Sequence, residues 1–138
     1  MISSLTSYLS HLKECLQGWE YTEAISIRSQ WVNKNVGTGF IRAQVKMADG
    51  GLLEIAEFFV LEANAIVVGN YKFHWQDPQG RLIKRWDNAP HHPEVEGFPH
   101  HSHDGSEENV MPGVSNIDTE MALQLVSQYL TDQKENQS

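Results

Sequence analysis

Six of the seven histidines in this 138-residue chain fall in one stretch, at His74, His91, His92, His100, His101 and His103. Imidazole changes charge near neutral pH and is a common metal ligand, so such a cluster suits either proton transfer or metal binding. Arg85, Asp87, Trp75 and Trp86 share the stretch. Its centre, Arg85-Trp86-Asp87-Asn88-Ala89-Pro90-His91-His92, is too polar and turn-prone for a core. It is also too particular for a linker, which is built from Gly, Ser, Pro and simple charge.

For proton chemistry the candidates are His74, His91, His92 and His100, with Arg85 to fork onto a phosphate or a carboxylate. Asp87 belongs to the same set, although Asp87 or Asn88 could equally close an Asx turn at the end of a strand. For metal chemistry the candidates are His91, His100 and His103, with Asp87 or Glu94 to complete a zinc shell. Adjacent histidines point apart, however, and the spacing matches no established His-only zinc motif, so no metal and no cofactor is expected. Glu57 is a further anomaly, a carboxylate on the apolar face of an alternating run with Leu53, Ile55 and Phe59. It must be paired, protonated or at a sheet margin. A bulge or edge would let it reach water; alternatively Arg85 or a loop histidine meets it, and the three form one site.

The elements that position these residues follow from periodicity. Ile2, Leu5, Leu9, Leu12 and Leu16 recur at helical spacing, with Ser3 or Ser4 as cap and Gly18 as stop. From Tyr21 the period changes to two, giving a strand to Val32 with Ile25, Ile27 and Trp31 inward. Further strands are expected over 40–47, 52–61, 65–76 and 81–86, joined by the Asp49-Gly50 hairpin and the Asp77-Pro78-Gln79-Gly80 turn. Residues 87–113 read as a long His/Pro-rich loop. A last helix begins after Ser115 or Asn116 and frays over residues 131–138. The expected fold is a single α+β domain: a five-stranded antiparallel meander with both terminal helices on one face and a polar sheet face opposite.

Composition narrows the function. The apolar fraction of 40% is that of a folded chain, Cys15 is the only cysteine, and the N-terminus lacks the pattern of a signal peptide. No membrane span is expected, and the cytoplasm is the default location. The net charge of −8 is segregated: residues 25–86 hold eight of the ten Lys and Arg residues against five acids, and residues 87–138 hold ten acids against Lys134. A local basic face of Arg28, Arg42, Lys46 and Lys72 is therefore expected on an acidic molecule. Nucleotide-binding glycine loops, a nucleophile elbow and a His-Glu-x-x-His motif are all missing.

The run Tyr71-x-Phe73-His74-Trp75-Gln76-Asp77, then Gly80-Arg81-Leu82-x-x-Arg85 continuing through His92-Pro93-Glu94, then Phe98-Pro99-His100-His101-x-His103, resembles the TumE-like toxins of prokaryotic toxin–antitoxin modules. The resemblance is close over residues 71–103 and looser back through Gly39, Asp49-Gly50 and Glu57. The N-terminal helix and the acidic stretch after His103 depart from it. It implies a small toxin encoded beside an antitoxin and acting on RNA; residue roles do not carry over and rest on chemistry. A metal-independent endoribonuclease needs a base, an acid and a cation on the phosphorane. His74, His91, His92, His100, Arg85 and Lys72 supply these, and Trp75 or Trp86 could stack a base. The partners expected are a cognate antitoxin and an RNA substrate, with a homodimer also compatible. The alternative is a non-enzymatic module that binds a protein or a metal through the His-rich loop.

Overall fold

A computed structural model describes residues 4–90, 92, 94–113 and 116–136. His91, Ser3 and Ser115 lie outside the described residues. Helix α1 (Leu5–Gly18) starts where Ser4 Oγ accepts the Ser7 amide at 3.0 Å, and its leucines and Tyr8 face inward. Seven strands follow in chain order: β1 (Thr22–Asn33), β2 (Thr38–Met47), β3 (Leu52–Glu62), β4 (Ala65–Gln76), β5 (Leu82–Asp87), β6 (His101–Asp104) and β7 (Val110–Pro112). They form one antiparallel sheet in the order β1 to β7. Helix α2 (Thr119–Asn136) closes the chain and stays helical through 131–136, where fraying is expected from sequence.

The count of five strands is therefore corrected to seven. The stretch expected to be loop from 87 to 113 holds β6 and β7, which have four and three residues. Their sequences, His-Ser-His-Asp and Val-Met-Pro, carry too little apolar alternation to announce a strand. A second correction concerns β1. Its register slips between Ile27 and Ser29, so Trp31 pairs with Phe40 on the uncovered face and is 43% exposed instead of pointing inward.

The helix-covered face carries the core: Ile41, Val45, Leu53, Ile55, Phe59, Phe73 and Trp75 are buried beneath α1 and α2. Tyr8 meets Phe59 edge-on at 4.8 Å between centroids, and Tyr129 of α2 meets Trp75 at 5.1 Å. Gly39 is required by this packing, because a Cβ there would lie 2.2 Å from the Phe59 ring. Gly50, at φ +91°, supplies the left-handed turn residue of the β2–β3 hairpin. No helix among the described residues is long and apolar enough to cross a membrane.

Glu57 sits in the middle of this apolar layer at 0% exposure. Tyr8 donates its hydroxyl to Oε2 at 2.6 Å, and Thr119 donates both its amide (2.7 Å) and its hydroxyl (2.8 Å) to Oε1. The carboxylate thus joins α1, the sheet and the first turn of α2, where unpaired amides and the helix dipole favour an anion. The sequence alternatives, a margin open to water or a partnership with Arg85 and a loop histidine, are both replaced by this arrangement.

Burial raises the Glu57 pKa above the ordinary glutamate value, while the bonds from Tyr8 and Thr119 pull it down. A raised folded-state pKa means that the contribution to stability is complete in acid and is lost as pH climbs through that pKa. Glu57→Gln keeps one acceptor and cannot ionise. It is expected to cost about 1 kcal/mol in urea melts near pH 5 and less as pH rises, whereas Glu57→Ala, which orphans three buried donors, costs about 3 kcal/mol or more.

Candidate functional site

The register of the sheet lays out the uncovered face as two cross-strand rows. One runs Arg42, Ala56, Lys72, Asp87, His101 and Pro112 from β2 to β7; the other runs Gln44, Glu54, His74, Arg85, His103 and Val110. Four residues at β5–β6 therefore form a square, Asp87 beside His101 and Arg85 beside His103. Alternation puts all four side chains on the same face. Asp87 also accepts the Ala89 amide at 3.0 Å, the Asx turn that ends β5. Asn88 then bonds the Tyr71 amide and the Gly69 carbonyl, filling the gap left by the β4 bulge.

Charges concentrate there. His101 Nε2 lies 2.9 Å from Asp87 Oδ1, His103 Nε2 lies 3.7 Å from Oδ2, and Arg85 Nε lies 3.5 Å from Oδ2. Arg85 binds Glu107 through Nη1 at 2.6 Å, while its buried Nε finds no hydrogen-bond acceptor among the described residues. His92 joins from the β5–β6 connection, its ring centroid 4.9 Å from that of His101 and 5.8 Å from that of His103. His101 is 2% exposed, yet these residues floor a cleft of about 570 Å3 that Lys72 and Asn70 also line. One strand away, burial and then the Arg85 guanidinium push the His74 pKa below the ordinary histidine value. A neutral His74 can accept a proton.

Of the residues expected from sequence, His74, Arg85, Asp87, His92 and Lys72 are brought together on this face. Glu57 is not: it is held on the opposite face by Tyr8 and Thr119. Trp75 and Trp86 are corrected too, both buried on the helix side and closed to an incoming base. His100 bonds the hydroxyl of Tyr71 at 2.8 Å and stacks on that ring, apart from the cluster. His103, expected only as a metal candidate, belongs to the square. His101 and Glu107 were missed, although the His-x-His spacing of 101 and 103 is the signature of two side chains on one strand face.

Arg28, Arg42, Lys46 and Lys72 all lie on the uncovered face; Arg28 bonds Gln44 at 2.8 Å, and Lys46 is 3.9 Å from Glu23. Beside them stands an aromatic ledge that sequence reasoning did not place. Trp31 stacks on Phe40 with centroids 6.1 Å apart and tilts against Phe58 at 6.1 Å. A hollow lined by Phe40, Phe58, Asn70, Tyr71 and Lys72 connects the ledge to the cleft.

The family model described as Toxin TumE matches residues 20–136. The chain belongs to the TumE toxin family. The match begins just after α1 and spans every strand and α2, so the whole cleft of this TumE-family chain lies inside it. No curated protein and no solved structure matches the chain.

Asp87 is the hub of the square, so removing it deprives the largely buried Arg85 guanidinium of one of its two carboxylates and leaves Glu107 as the other. Asp87→Ala is expected to lose about 3 kcal/mol in urea or thermal melts, as for other buried charge networks deprived of one partner. Trp31→Ala, on the exposed ledge, should change stability by about 1 kcal/mol or less.

Proposed function

We propose that this TumE-family toxin cleaves RNA in the β4–β6 cleft and is held in check by an antitoxin partner encoded with it. The observation that carries the reading is Arg85 flanked in one cross-strand row by His74 and His103. The two histidines stand two strand spacings apart, roughly 10 Å. Two hydrogen bonds of about 2.8 Å each, together with the two P–O bonds of an in-line displacement, span nearly that distance. In this arrangement His74 takes the ribose 2′-hydroxyl proton. Arg85 and Lys72 hold the phosphoryl oxygens, Arg85 with donors that Glu107 does not occupy. The histidine cluster returns a proton to the leaving 5′-oxygen.

Substrate binding follows from the same face. Arg28, Arg42 and Lys46 offer backbone contacts, and Trp31, Phe40 and Phe58 give stacking surfaces for unpaired bases, a sequence-tolerant contact. The ten acids of residues 87–138 oppose indiscriminate coating of nucleic acid.

Expression of the wild type is expected to arrest growth with loss of RNA integrity. His74→Ala and Arg85→Ala should reduce cleavage by roughly two orders of magnitude or more while the protein stays folded. Intact RNA in cells arrested by the wild type would refute the reading. Because its pKa is lowered, His74 stays neutral to below pH 6.5, so the acid limb of the kcat/KM profile should lie below that value. Residual activity in Arg85→Gln should have its acid limb moved to higher pH, since the cation that disfavours imidazolium is gone.

A further inference from the structure

The hydrogen bonds of the three clustered histidines share one feature. His101 Nδ1 lies 3.0 Å from the Pro99 carbonyl, His103 Nδ1 lies 2.9 Å from the Glu107 carbonyl, and His92 Nδ1 lies 3.1 Å from Glu94 Oε1. Each partner is an acceptor only, so each Nδ1 carries a hydrogen and each neutral ring leaves a lone pair on Nε2. Nitrogens of the three rings, one from each, lie within 4.8 Å of one another, and the ring planes cross at 70° to 78°. Asp87 turns its own lone pairs toward the same place, 2.9 Å from His101 Nε2 and 3.7 Å from His103 Nε2.

Lone pairs converging in a nearly closed site need positive charge between them. Protonating both His101 and His103 would gather two imidazoliums and the Arg85 guanidinium around one carboxylate. A single divalent ion satisfies the three imidazole lone pairs at once and sits beside the Asp87 carboxylate. Charge agrees: Asp87, Glu94 and Glu107 stand against Arg85 and Lys72, a surplus of one negative charge here. An acceptor behind every ligating imidazole is the usual outer shell of a metal site.

We propose that His92, His101 and His103 bind one divalent transition-metal ion of the zinc type, with the Asp87 carboxylate beside it as a counter-charge and not a fourth ligand, leaving a coordination position open to the cleft. Imidazole nitrogens suit such ions, and three protein ligands with an open position are the pattern of a catalytic rather than a structural site. This set differs from His91, His100 and His103, the ligands that spacing alone singles out. The catalytic consequence rests on the RNA reading. In the loaded protein a metal-bound water, rather than a histidine, protonates the leaving oxygen: the 2′-oxygen bonds to phosphorus, its proton passes to His74 and on to solvent, and the P–O5′ bond breaks. The metal keeps a hydroxide, which is reprotonated from solvent.

The test uses the full chain in a Cys15→Ser background, because His11, Cys15 and Glu120 form a second ligand-type cluster between the helices. Chelator-stripped protein is titrated with zinc and with cobalt(II). The expected result is about one equivalent bound, a visible cobalt spectrum, and a zinc-dependent rise in melting temperature. His92→Ala, at the half-buried rim, should weaken binding at least tenfold while the stripped protein melts as the parent does. No uptake of either ion, or uptake unchanged in both His92→Ala and His103→Ala, would overturn the site. Binding that depends on His92, with RNA left intact, would keep the site and remove the RNA reading. RNA cleaved equally well by stripped and loaded protein would overturn the catalytic role given to the metal.

Discussion

A single buried carboxylate holds the architecture together. Glu57 lies in an apolar layer where an unmet charge would cost several kcal/mol, and it is tolerated because Tyr8 and Thr119 converge on it from two helices. Apart from marginal bonds such as Lys13 to Gln30 and Thr22 to the Leu16 carbonyl, those helices are fixed to the sheet by hydrophobic contact, which is strong but not directional. The three bonds to Glu57 add direction: they set where α2 begins relative to β3 and hold α1 against the same strand.

With its apolar half fixed, the sheet works as a partition. From β4 and β5, Phe73, Trp75 and Trp86 enter the core, and the residues alternating with them present Lys72, His74, Arg85 and Asp87 to the other side. Ionisable groups can therefore crowd on one face without disturbing the packing behind them. Short backbone-bonded strands also position His101 and His103 more tightly than a free loop would.

Most of the scaffold was legible in the sequence, because β2, β3 and the second half of β4 alternate cleanly and Asp49-Gly50 marks the β2–β3 hairpin. The site was legible by composition more than by geometry. His74 and Lys72 fell on the polar face expected for them, but three features hid the rest. A bulge in β1 reversed the parity of Trp31. The partners of Glu57 were a tyrosine and a threonine 49 and 62 residues away, beyond the reach of local pattern. Residues 101–104 pair as a strand through backbone bonds to β5, a tertiary effect that their polar side chains do not announce. Trp75 and Trp86 misled for a related reason: an aromatic ring in a site-like motif serves the core as readily as it serves a ligand.

The strict sequential order of the strands has a kinetic meaning. Every pairing in the sheet joins neighbours in the chain, so the meander can be built hairpin by hairpin as the polypeptide leaves the ribosome. The helices are the exception: among their contacts, the bond between Glu57 and Thr119 spans 62 residues. Until residue 119 has emerged, the carboxylate lacks two of its three donors and the sheet lacks half its cover. A nascent chain that already displays Arg85, His101 and His103 thus still lacks the part of its core that α2 supplies.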